Sequence, residues 1–149
     1  MRVAVSGVLP APPARAWTVL ADWERQADWM PDADSVTVLG DLREGVGTRI
    51  AVRTRLFGVP AFTEILEVTN WHPGVGLEVR HGGPVRGFGR WRLRPAGDGA
   101  EFLWEEEFRL AFGGPLGELA AVVYAPLLRW LIRRAINGLT GRLRTGPPG

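Results

Sequence analysis

From Gly114 to Leu143 the apolar residues Leu116, Leu119, Ala120, Val123, Leu127, Leu131, Ala135, Leu139 and Leu143 recur at three- and four-residue intervals. That spacing collects side chains on one face of an α-helix and predicts a single long C-terminal helix. Such a face must be covered. What precedes it, from Ser35 to Leu110, is a series of short segments with strand-like alternation, so the simplest partner is one antiparallel sheet closing over one helix. A curved sheet over a long helix leaves room for a pocket between them. The longest uncharged run in the helix, Leu119 to Leu128, is ten residues long and holds Pro126. About 20 apolar residues are needed to span a bilayer, so no membrane insertion is expected.

A chain of 149 residues fits one domain, residues 1–144, with a disordered tail at 145–149. It is long enough to bury about 68–70% of its unfolded surface. There is no cysteine, which removes disulfides, thiolate catalysis and cysteine-based zinc sites. With only two histidines, no metal site is expected. All 18 cationic side chains are arginine, which raises the pI to 10.3 although the formal net charge is only +2. Most of these arginines lie in strands that also carry acids, which is not the clustering that nucleic acid requires. Arg129 and Arg133, four apart on the last helix, read as a solvated face. The N-terminus reaches Leu9-Pro10-Ala11-Pro12-Pro13 after too short an apolar run for a signal peptide, and a cytoplasmic protein is expected.

In chain order, Val3 to Leu9 reads as a strand. Ala11-Pro12-Pro13 opens a helix over Ala14 to Ala21, because proline is tolerated in a first turn. A second short helical piece, Asp22 to Trp29, stops at Pro31, and Asp32-Ala33-Asp34 reads as a turn. Six strands follow: Val36 to Leu39, Thr48 to Leu56, Phe62 to Thr69, Gly76 to His81, Val85 to Arg94 and Ala100 to Leu110. They are separated by Gly- and Pro-containing turns such as Phe57-Gly58-Val59-Pro60, His72-Pro73-Gly74 and Ala96-Gly97-Asp98-Gly99.

This order resembles the START-like helix-grip (SRPBCC) superfamily, in its polyketide cyclase/dehydrase and lipid-transport branch. The resemblance rests on Ala11-Pro12-Pro13 leading into Ala16-Trp17-Thr18-Val19-Leu20-Ala21-Asp22, on Trp29-Met30-Pro31, on Gly45-Val46-Gly47-Thr48, and on the Leu-rich terminal helix. It implies an α+β helix-grip fold: a curved seven-stranded antiparallel sheet wrapped around the long C-terminal helix, with two short helices between strands 1 and 2. It implies little about chemistry, because one fold hosts many functions. Members of the superfamily bind, carry, cyclise or hydrolyse very different ligands.

The Val85 to Leu110 hairpin carries the most chemistry. If its turn centres on Gly97-Asp98, Arg94 faces Glu101 and Arg90 faces Glu105 as cross-strand ion pairs on the outer side. On the inner side Leu93 faces Phe102, Trp91 faces Trp104, Gly89 faces Glu106 and Gly87 faces Phe108. Two inner glycines suggest that something bulky, helix or ligand, lies against the backbone there. Glu106 is then a carboxylate on an aromatic face, where it must find a partner or shift its pKa. It points into the pocket as a general acid or base, or turns outward at a bulge or a wet mouth. His81 reads first as an end-of-strand residue reaching solvent beside Gly82-Gly83. On the alternative reading it is a pocket residue about 10 Å from Glu106, two strand spacings away, too far for a direct bond but near enough for both to touch one ligand. His72 reads as a turn residue.

Further lining candidates are Trp29, Met30, Val79, Trp91, Trp104, Phe108, Tyr124, Leu127, Leu128 and Leu131, with a kink at Pro126 opening space beside Tyr124. Phosphate-binding loops and serine nucleophile elbows are absent. Two functional classes stay open. The first is a carrier or sequestering module for a small hydrophobic ligand, lipid-like, aromatic or polyketide-like, with no cofactor. The second is an enzyme of the polyketide aromatase/cyclase or dehydratase type with Glu106, His81 and Tyr124 as catalytic candidates. Monomer and homodimer are equally open.

Overall fold

The computed structural model describes residues 1–83, 85–110 and 113–145. Strand β1 (Arg2–Leu9) leads through Pro12 into helix α1 (Pro13–Leu20), and a 3-10 turn follows at Trp23–Asp28. Strands β2 (Ala33–Leu39), β3 (Arg49–Leu56), β4 (Val59–His72), β5 (Gly76–Gly82), β6 (Val85–Ala96) and β7 (Gly99–Leu110) come next, and helix α2 (Gly114–Thr145) completes the order. The seven strands form one sheet in the order β1-β7-β6-β5-β4-β3-β2, every neighbouring pair antiparallel. This is the helix-grip arrangement that the sequence implies.

Local differences have local causes. The second helical piece is 3-10 rather than α, closed by Trp29 N–H donating to the Gln26 carbonyl three residues back. Ala33, expected in a turn, opens β2. The β3–β4 turn is tighter than the four residues expected: Leu56 pairs with Val59, and Phe57 and Gly58 take φ of 52° and 79°. Both central residues left-handed is the geometry that matches strand twist in a two-residue hairpin. Thr145 ends α2 rather than beginning a tail, and residues 146–149 lie outside the described residues.

The largest correction concerns α2. Of the expected stripe, Ala135, Leu139 and Leu143 are buried, but Leu116, Leu119 and Val123 face solvent, Leu116 being 75% exposed. The cause is geometric. Positions four apart advance about 40° per step around a helix of 3.6 residues per turn, so a four-residue ladder from Leu143 back to Val123 rotates about 200° and ends on the opposite side. The buried set, Gly117, Ala121, Ile132, Ala135, Ile136, Leu139 and Leu143, mixes threes, fours and longer gaps and stays within an arc of about 100°. Close approach at two glycines seats this arc. A Cβ on Gly138 would stand 2.1 Å from the Trp29 carbonyl oxygen, and one on Gly7 of β1 would stand 3.0 Å from Ile136 Cγ2. By length and composition α2 is apolar enough to cross a membrane, yet here its buried arc lies against the core.

Candidate functional site

Between the concave face of the sheet and α2 lies a cavity of about 170 Å³. Its floor is aromatic. Trp91 meets Trp104 edge to face at 5.3 Å, and Phe108 meets Tyr124 of α2 in the same way at 5.3 Å, the geometry that aromatic quadrupoles favour. Met30, Val79, Leu128 and Leu131 add to the apolar lining. Inner-face residues of β3 and β4, among them Ile50, Val52, Phe62 and Leu66, form the other wall. At the tip of the β3–β4 hairpin Phe57 stacks on Trp130 of α2 with ring centres 6.2 Å apart, so sheet and helix also meet beyond the floor.

One end of the cavity is polar. His81 Nε2 lies 2.8 Å from Glu106 Oε2, and its Nδ1 lies 2.8 Å from Glu64 Oε1. Trp104 Nε1 donates to the second oxygen of Glu106 at 2.7 Å. The side chains of His81, Glu64 and Glu106 are only 11–13% exposed. Burial opposes a charge on the imidazole, but the hydrogen bonds to Glu106 and Glu64 and their negative charges outweigh it and raise the His81 pKa to about 10. At neutral pH His81 is therefore an imidazolium donating from both ring nitrogens. Burial, and then the charges of Glu64 and Glu106, push the Tyr124 phenol up to about 12, so it stays protonated. The two carboxylates sit on opposite ring nitrogens, so the three groups share no point at which to coordinate one metal ion.

The hairpin register is the expected one. Arg94 pairs with Glu101, Trp91 with Trp104, Gly89 with Glu106 and Gly87 with Phe108, and Arg94 Nη2 donates to Glu101 at 2.8 Å. Arg90 differs: it binds Glu78 on β5, while Glu105 binds Arg2 on β1. The expected 10 Å gap between His81 and Glu106 is closed because Gly89, between them on β6, has no side chain. A Cβ there would stand 2.9 Å from Glu106 Oε1. The nearest protein group to Gly89 is thus the Glu106 carboxylate, which leans across the glycine to His81, and not the helix. At Gly87 the occupant is backbone: its φ is +142°, and a Cβ would fall 1.9 Å from the Glu107 carbonyl oxygen. The reading of His81 as a solvent-reaching strand end is overturned, because its ring is held between Glu64 and Glu106.

Of the expected lining, Met30, Val79, His81, Gly89, Trp91, Trp104, Glu106, Phe108, Tyr124, Leu128 and Leu131 surround the cavity. Trp29 instead packs in the core beside Trp91, with ring centres 6.0 Å apart. Leu127 and Gly87 do not reach the cavity. Sequence reasoning missed Glu64. Its signal was available, because Phe62, Glu64 and Leu66 alternate onto one face of β4 and place a carboxylate among apolar side chains, as Glu106 is placed on β7. Asp32 and Thr54 were missed as well. Asp32 lies 3.5 Å from Arg134, and burial raises its pKa against the pull of Arg134 and Arg55.

Comparison with known proteins agrees with this architecture. Residues 1–144 match the family described as polyketide cyclase / dehydrase and lipid transport. No curated protein sequence matches the chain. Among solved structures, TTHA0849 from Thermus thermophilus superposes with a TM-score of 0.84 at 20% identity, covering 99% of this chain and 100% of that one. The ZhuI aromatase/cyclase from Streptomyces sp. R1128 gives 0.81 at 18% identity over 97% and 93%. A START superfamily protein from Mycobacterium smegmatis gives 0.73 at 15% identity over 97% of each chain. At such identities the likeness establishes the fold. With the match over residues 1–144, the chain belongs to the polyketide cyclase/dehydrase and lipid transport family.

Proposed function

We propose that the protein binds a small, largely apolar molecule between sheet and α2, as a carrier or sequestering module working in the cytoplasm. The observation that carries this is the unfilled space of about 170 Å³ against Trp91, Trp104 and Phe108. An apolar cavity of roughly 150 Å³ is enough to take up benzene, so the volume corresponds to a one-ring body, and longer guests need α2 or the β3–β4 tip to move. Toluene tests the reading. Titrated by calorimetry, with the Trp104 indole N–H followed by NMR, it should bind and shift that resonance. Leu128→Trp, which fills the space from the helix side, should abolish both effects. Toluene binding that survives Leu128→Trp, or no binding by the parent protein, contradicts the reading.

A second reading, an enzyme of the aromatase/cyclase or dehydratase type, is favoured by one observation: the Glu64–His81–Glu106 chain at the cavity end. The roles differ from a lone Glu106 acid. Both Glu106 oxygens are engaged, so Glu106 positions His81 and Trp104. Both ring N–H groups of His81 are engaged in the same way, so the Tyr124 hydroxyl, which stays protonated at neutral pH, is the proton donor this cluster leaves free for a substrate. Turnover of any accepted polyketide-like substrate should then fall at least about a hundredfold in Tyr124→Phe, within the usual range for losing a general acid. Unchanged turnover in Tyr124→Phe would remove the enzyme reading.

A further inference from the structure

Granting that the cavity takes a guest, its polar end has a definite preference. One imidazolium stands between two carboxylates, so the cluster carries one net negative charge. Its donors are committed: both ring N–H groups of His81 and the Trp104 indole N–H already point at carboxylate oxygens. Its acceptors are in surplus, because Glu64 Oε2 makes no hydrogen bond among the described residues, and Glu64 lines the cavity. The Tyr124 hydroxyl, also unbonded among the described residues, lines the same space. Its upward-shifted pKa reports that an acid placed here resists ionisation. No arginine lines the cavity among the described residues; Arg134, at the Asp32 side, is turned onto Asp32 and the Trp130 ring.

We propose that this end of the cavity selects guests whose apolar body ends in a hydrogen-bond donor, a neutral hydroxyl or a protonated amine, and rejects the carboxylate of the same body. A donor head reaches Glu64 Oε2 and lets Tyr124 donate in return. An anionic head would face two carboxylates, with the N–H donors of His81 and Trp104 already taken. The fatty-acid-like end of the ligand range is thereby excluded, and alcohols, phenols and amines remain.

A matched one-ring series at pH 7 tests this: toluene, benzyl alcohol, benzylamine and benzoate, titrated by calorimetry with the Trp104 indole N–H as the marker of location. Benzyl alcohol and benzylamine should bind more tightly than toluene, and benzoate at least about tenfold more weakly than either. In Glu64→Gln, which keeps the shape and removes the charge, the gap between benzylamine and benzoate should shrink severalfold. Benzoate binding on a par with benzyl alcohol, or donors no tighter than toluene, overturns the inference while leaving the cavity reading intact. Failure of toluene and all the others to bind overturns both.

Discussion

At the scale of single residues, His81 decides most. Its folded pKa of about 10 lies above the ordinary 6.5, so the folded state holds a proton that the unfolded chain releases. The stabilisation is complete below about pH 6.5 and is lost as pH rises through about 10. The chain suits the measurement, having no lysine, no cysteine and a single tyrosine, itself raised to about 12. Between pH 7 and 10 urea denaturation should show stability falling by up to about 1.4 kcal/mol per pH unit. His81→Gln should flatten that slope, and a parent protein equally stable at pH 7 and 10 would remove the imidazolium. Gly89 supports the same cluster. Its φ is not left-handed, so alanine is allowed by the backbone, but its Cβ would push the Glu106 carboxylate off His81 and Trp104. Gly89→Ala should therefore cost about 1–3 kcal/mol, and clearly less when Glu106 is already alanine, as a double-mutant cycle would read. Equal costs in both backgrounds would deny the contact.

At the scale of elements the β6–β7 hairpin was legible and the helix face was not. A two-residue turn at Gly97-Asp98 fixes every pair above it, since strand side chains have a period of two, and the register follows from the sequence alone. The ion pairs were less legible. Arg90 chose Glu78 over Glu105, because adjacent strands on either side offer a long side chain two sets of partners. On α2, leucine content suggested one stripe, whereas burial follows Gly117, Ala121 and Ile132, two of them small residues that a search for large apolar side chains passes over. The consequence is measurable. Leu139→Ala, at a fully buried position, should cost about 2–5 kcal/mol. Leu119→Ala and Val123→Ala, at exposed positions, should stay within about 0.5 kcal/mol of the parent. Comparable losses at Leu119 and Leu139 would restore the single-stripe helix.

For the whole molecule, the fold class could be read from the order of elements, because a sheet with one apolar face and one long helix has few ways to cover both. The site was legible only in part. Glu106 and the aromatic floor announced themselves by breaking or filling the pattern of one strand. The union of Glu64, His81 and Glu106 needs three strands at once and the missing side chain at Gly89 between them, which no single segment records. The most direct test of the central claim, an open apolar space ending in a charged acceptor cluster, is a crystal structure of the protein soaked in benzyl alcohol. Density for the ring between Trp104 and Tyr124, with the hydroxyl within about 3 Å of Glu64, is the expected result. A space closed by protein side chains, with no guest density against Gly89 and Trp104, would contradict it.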